Sequence, residues 1–176
     1  CAFGFGFFLF GNYWITISLT HDEVFKGLIP LALILIPLFL SLFFGLAVLL
    51  IGGFAEKNIA FIFLFSLVFS IFEFIRGTIF TGFPWNLISY TWSWSIETIQ
   101  VLSIIGTYSL SLISITFFSI PFLFFQKKIF KQNIFFLLFF IIIFIINYSY
   151  GIIKLNKANY SLDKKLNVTI VSPNFT

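Results

Sequence analysis

Apolar residues run through this chain in long stretches that are nearly free of charge, separated by short polar intervals. Crossing a hydrocarbon core of about 30 Å takes about 20 helical residues, and five stretches come near that length. The first covers Phe3 to about Leu19. The second fills Leu28 to Ile51, inside a window without charge between Lys26 and Glu56. Pro30 and Pro37 lie in its first half and predict a kink there. The third begins near Ile59 and either includes Glu73 or ends just before it. The fourth runs from about Ile99 to Phe125, and the fifth from Ile134 to about Ile153. A membrane-spanning barrel would read as short runs of alternating polarity. These runs are long and unbroken, so the pattern predicts an all-α integral membrane bundle of about five transmembrane helices over residues 1–153.

From Lys154 the character changes. Residues 154–165 are polar and rich in Lys and Asn, a linker. Leu166 to Val171 is short and β-branched, and Ser172-Pro173-Asn174 closes it with a turn signal. A lone strand is not stable by itself, so residues 154–176 read as a linker and the first strand of a further domain. The chain contains no methionine, even at position 1, and reads as an internal fragment.

Composition agrees with the pattern. Hydrophobic residues make up 60% and charged residues 9%, with a mean hydropathy of +1.11. A soluble domain is about one quarter charged, so this surface needs lipid as its solvent. The 30 Phe, with many Ile, Lys and Asn, point to codons biased toward A and T, and the Phe residues read as lipid-compatible filler, with no cofactor box among them. The net charge of +4 lies in clusters between apolar spans, as in loops of membrane proteins, and argues against nucleic acid. Lone Cys1 excludes an internal disulfide. With no second histidine beside His21, no metal site is expected, and no cofactor.

Lys127, Lys128 and Lys131 crowd the loop between the fourth and fifth stretches, and Lys57 lies between the second and third. The positive-inside rule puts both loops in the cytoplasm. His21-Asp22-Glu23, residues 77–98 and the C-terminal tail then fall outside. Gly4, Gly6 and Gly11 predict close helix packing, and Ser103, Thr107, Ser111 and Ser114 predict a small-residue face that meets another helix.

The stretch that carries chemistry is Glu73-Phe74-Ile75-Arg76-Gly77, followed by Thr81-Gly82-Phe83-Pro84-Trp85. Glu73 and Arg76 are three apart on one helical face, an order that suits an intrahelical ion pair. Charges inside a span are costly and suggest function. Gly82 and Pro84 break the helix. Trp85, Trp92 and Trp94, three of the four tryptophans, then predict a segment lying at the membrane surface.

Glu-x-x-Arg-Gly followed by Thr-Gly-Phe-Pro-Trp resembles the bacterial apolipoprotein N-acyltransferase family. The glycine-rich start through Tyr13-Trp14, the run from Gln100 to Ser111, and Val168 to Asn174 are similar to further parts of it, the last to the first strand of its nitrilase-like domain. Ser172 stands where that strand commonly carries Gln. The resemblance implies a multi-pass protein of the bacterial inner membrane with its C-terminal tail on the periplasmic side. It implies transfer of an acyl chain from a phospholipid donor, through a cysteine thioester, to the N-terminal amine of a diacylglyceryl-cysteine lipoprotein. It also implies a Glu–Lys–Cys triad lying beyond the first strand. This fragment therefore carries no catalytic residue and is expected to be inactive alone. Glu73, Arg76, Thr81, Gly82, Phe83, Pro84 and Trp85 are the membrane motif that supports the site. The alternative is a non-enzymatic multi-pass protein such as a permease subunit, although no second interrupted helix matches the one holding Pro30 and Pro37.

Overall fold

A computed structural model describes residues 1–53, 58–79, 82–125 and 130–157. Five main helices organise it: α1 (Ala2–Asn12), α2 (Ile29–Ile51), α3 (Ile59–Thr78), α4 (Thr107–Ser119) and α5 (Phe130–Lys157). Among the described residues, four helical segments are long and apolar enough to cross a membrane, namely α2, α3, α5 and Thr107–Phe124. The segment Leu166–Val171 lies outside the described residues, as do Lys57, Thr81, Lys127 and Lys128.

Two of the five expected spans differ from the pattern. The first is not one helix through Leu19. Its α1 is 11 residues long, about 16 Å at 1.5 Å per residue, and turns at Tyr13-Trp14 before a single helical turn at Ile15–Ser18. The reason is local. Thr16 Oγ1 donates to the Tyr13 carbonyl and Ser18 Oγ to that of Ile15, while Trp14 Nε1 donates to Gly11. Backbone bonds there close over three residues. Hydroxyls that compete for helix carbonyls favour such tight turns. The fourth span does not begin at Ile99. It is interrupted at Gly106, whose φ of 77° and ψ of 169° cannot belong to a helix, and starts at Thr107. Ser103 is therefore cut off from the small-residue face; Ser111 and Ser114 remain on it, fully buried.

The second and third spans form over the expected residues. Pro30 occupies the first turn of α2, where its missing N–H is no loss, and the helix continues through Pro37 to Ile51. Asn58 caps α3 by accepting from Phe61 N at 2.9 Å. The fifth helix runs past Ile153 to Lys157, so the first four residues of the expected linker are helical.

Neighbours in sequence pack side by side: α1 on α2, α2 on α3, α3 on α4. One apolar cluster joins Phe8, Leu40, Phe44, Ala47, Phe69 and Ile115 across these four helices, with Phe44 and Phe69 rings 4.5 Å apart. A second cluster holds Ile62 of α3, Ile120 and Leu123 beyond α4, and Phe136 and Phe140 of α5. Phenylalanine thus fills the core, at ring separations that aromatic pairs prefer. Of the three glycines expected to pack closely, Gly4 lies against Phe44 and Ser41, and Gly11 against Asn86, but Gly6 faces open space. The second cluster marks one end of the bundle. At the other end lie Asn12, Arg76, residues 82–105 and the last turns of α5.

Candidate functional site

Glu73 and Arg76 are each only 1% exposed, deep in a helix that is otherwise almost wholly apolar. The expected ion pair between them is not made; among the described residues the one ion pair is Glu23–Lys26. Each instead reaches the segment that follows α3. Arg76 Nη1 donates to the carbonyls of Phe83 at 2.9 Å and Trp85 at 2.8 Å. Glu73 Oε1 accepts from the amide of Ile88 at 2.9 Å. Phe83 N returns a bond to the Arg76 carbonyl at 3.1 Å.

The cause lies in backbone bookkeeping. Residues 82–87 form neither helix nor sheet, so their buried amides and carbonyls need partners from elsewhere. Spacing by three puts both charges of α3 on one face, and that face is the one the segment covers. The guanidinium meets carbonyls and the carboxylate meets an amide, each a charge-assisted bond. The Arg76 guanidinium also lies 4.9 Å from the centre of the Phe8 ring, within cation–π range. Its Nε and Nη2 have no hydrogen-bond partner among the described residues.

The rest of the motif makes this turn possible. Gly82 has φ of 83°, and a Cβ there would run into the Gly77 carbonyl oxygen. A Cβ at Gly77 would meet the Tyr108 hydroxyl. Pro84 and Trp85 point outward, Trp85 with its ring 5.7 Å from that of Trp14 in an edge-on pair. The structure brings Glu73, Arg76, Gly82, Phe83, Pro84 and Trp85 together, and Thr81 lies outside the described residues; the sequence motif alone says nothing of what they touch, and its reading stops there. Asn86 Nδ2 donates to Asn12 Oδ1 at 2.6 Å, Ser89 N to Ser111 Oγ at 3.1 Å, and Trp92 Nε1 to Ser114 Oγ at 2.8 Å. Trp92 is half-buried and stacked on Phe144 at 4.5 Å.

A second missed set lies on α5. Asn147 Nδ2 donates to the Thr98 carbonyl at 3.0 Å, Gly151 abuts the Glu97 backbone, and Lys154 Nζ donates to Ser103 Oγ. Spacings of four and three put all three on one helical face. Three such residues near the end of an apolar run were the signal available. Nearby, the Glu97 carboxyl is held below its ordinary range by its own backbone amide and the Ser95 hydroxyl.

Residues 1–120 match the family model described as the apolipoprotein N-acyltransferase N-terminal domain. The chain is 39% identical to an apolipoprotein N-acyltransferase of Rickettsia bellii over 155 residues, which is 88% of this chain and 31% of the relative. It is 37% identical to that of Rickettsia prowazekii over 174 residues, 97% of this chain and 34% of the relative. The one from Brucella melitensis is 35% identical over 120 residues, 68% of this chain and 23% of the relative. The chain thus spans about a third of the length of the curated relatives from Rickettsia. No solved structure matches it. The four apolar helices and these relatives mark a multi-pass bacterial membrane protein. The Glu73–Trp85 motif lies inside the matched region, and the chain belongs to the apolipoprotein N-acyltransferase family.

Proposed function

We propose that this chain is the membrane part of an apolipoprotein N-acyltransferase, which moves an acyl chain from a phospholipid to the N-terminal amine of a diacylglyceryl-cysteine lipoprotein. It lies in the bacterial inner membrane with its C-terminal tail on the periplasmic side. The Glu, Lys and Cys that the resemblance implies belong to a nitrilase-like domain outside this chain. There, the carboxylate takes the thiol proton and the thiolate attacks the phospholipid ester carbonyl. The ester C–O bond breaks, the lysophospholipid leaves with that proton, and a thioester remains. The lipoprotein amine then attacks the thioester, the C–S bond breaks, and the amine proton restores the thiol.

What this chain supplies is a stiff platform. The observation that carries this role is the grip of Arg76 on the Phe83 and Trp85 carbonyls. A buried guanidinium with two unused donors is a costly way to hold a turn, which favours a role in function over one in stability alone. With the turn fixed, Pro84, Trp85 and Trp14 stand at the end of the bundle from which α5 leads toward the tail.

The test is N-acylation of a diacylated lipoprotein by the full-length protein in phospholipid vesicles, followed by mass spectrometry of the product. Glu73→Ala and Trp85→Ala are expected to lower the rate while the protein remains monodisperse. Full activity of a stable double variant would remove the motif from function. Absence of product from well-folded wild-type protein would remove the acyltransferase reading itself.

A further inference from the structure

A groove of ≈ 340 Å³ opens between α5, α4 and the segment after Trp92. One wall is the α5 face Ile141, Phe144, Ile145 and Tyr148; Trp92, Trp94 and Thr98 form the other, with Phe117 of α4 beside them. Its size falls within the range of small-molecule sites, about 300–1,000 Å³. Three observations identify the occupant. The walls are set before anything binds: Trp92 is pinned by Ser114 and lies between Phe118 and Phe144, and Thr98 is buried and bonded to Ser95. The groove is continuous with the lipid-facing side of α5, where Ile142, Ile145 and Ile146 are exposed, so it opens into hydrocarbon. Its polarity is graded. Tyr148, Thr98 and the exposed Trp94 lie toward the end that also holds Tyr150 and Lys154, the aromatic and cationic signature of the headgroup layer. Below them the lining is apolar.

We propose that this groove holds one acyl chain of a bilayer phospholipid, with the glycerol end beside Trp94 and Tyr148 and the chain running down toward Ile141. The seven helical steps from Ile141 to Tyr148 span about 10 Å, about a third of the hydrocarbon core, so the groove grips the upper part of the chain. The site depends on the membrane placement of α5 and not on the acyl-transfer chemistry.

The experiment uses full-length protein in vesicles of phosphatidylethanolamine and phosphatidylglycerol doped with a phospholipid that carries a diazirine on its acyl chain. After irradiation, adducts are mapped by peptide mass spectrometry. Adducts concentrated on Trp92–Thr98 and Ile141–Tyr148 are expected. Ile145→Trp, which fills the groove, should reduce them severalfold, and Ile146→Trp, on the exposed side, should not. Should Ile145→Trp not fold, Ile141→Trp at the deep end carries the same expectation. Even labelling along α5 that Ile145→Trp leaves unchanged means annular lipid only and overturns the proposal. So does the absence of adducts in the groove, which would mean that another part of the full-length chain covers it. Acylation does not enter this readout, so failure here is distinct from failure of the acyltransferase reading.

Discussion

At Arg76 one guanidinium performs the service that a neighbouring strand performs in a sheet: it satisfies the backbone of an irregular segment. Such charged hydrogen bonds contribute about 1.5–3 kcal/mol each, so Arg76→Leu is expected to lose them and leave two partly buried carbonyls unpaired. Gly82 isolates the conformational part of the same turn. Its φ of 83° costs a residue with a Cβ about 1–2 kcal/mol, and the collision with the Gly77 carbonyl adds to that. Gly82→Ala should therefore lower the melting temperature of detergent-solubilised protein. Gly27→Ala, at φ −64° with open space around it, should leave it nearly unchanged. Equal effects would mean that the turn is not under this constraint. Both charged residues stood out in the sequence, because a charge amid Phe and Ile is costly. Their partners did not. Spacing by three predicts a pair only when the helix face is bare, and here a segment with unmet backbone groups lies on that face and competes successfully.

Elements were legible where the helix ends carried a signal and illegible where hydropathy alone spoke. Asn58 caps α3 and Pro30 lies in the first turn of α2, each within a residue of the helix start. Hydropathy runs smoothly across Gly106 and across Tyr13-Trp14, so nothing in the apolar count marked either break. A positive-φ glycine and a run of hydroxyls that bond backward decided them. The face of α5 carrying Asn147, Gly151 and Lys154 was overlooked for the same reason, since the run around it is so apolar. That face ties residues 97–103 to the last turns of α5. Asn147→Leu removes the bond to the Thr98 carbonyl and leaves a buried acceptor unpaired, a cost of about 1–3 kcal/mol. Hydrogen exchange of the amides in residues 96–105 is expected to accelerate in this variant, while that of Ile62–Phe72 in α3 stays as it was. Unaltered exchange in both places would show that α5 does not restrain the segment.

On the scale of the molecule, the two ends of the bundle are chemically unlike. Asn12, Arg76, the bound turn 82–88 and Lys154 gather at one end, and the second apolar cluster with Ile62, Leu123 and Phe136 lies near the other. At that second end Asn133 caps the Leu123 carbonyl and Lys131 is exposed. The helix ends that flank Lys57, Lys127 and Lys128 in the sequence lie at this end, and the positive-inside rule is the ground for the proposed orientation, with the motif end toward the periplasm. Lys154 and Lys157, at the motif end, count against the rule. Lys154 Nζ donates to Ser103 Oγ and to the Gln100 carbonyl but keeps its charge, and the proposed orientation rests on the rule binding less where a tail leads into a large translocated domain. The orientation is tested in a Cys1→Ser background carrying one new cysteine, either Ser93→Cys in the exposed turn of the motif end or Lys131→Cys at the start of α5. In cells with a permeabilised outer membrane, a maleimide that cannot cross the inner membrane should label Ser93→Cys at once. Lys131→Cys should react only after lysis. The reverse order would put the motif in the cytoplasm, away from any lipoprotein exported across the membrane. The platform role proposed for Arg76 and Trp85 would then have to be abandoned along with the orientation.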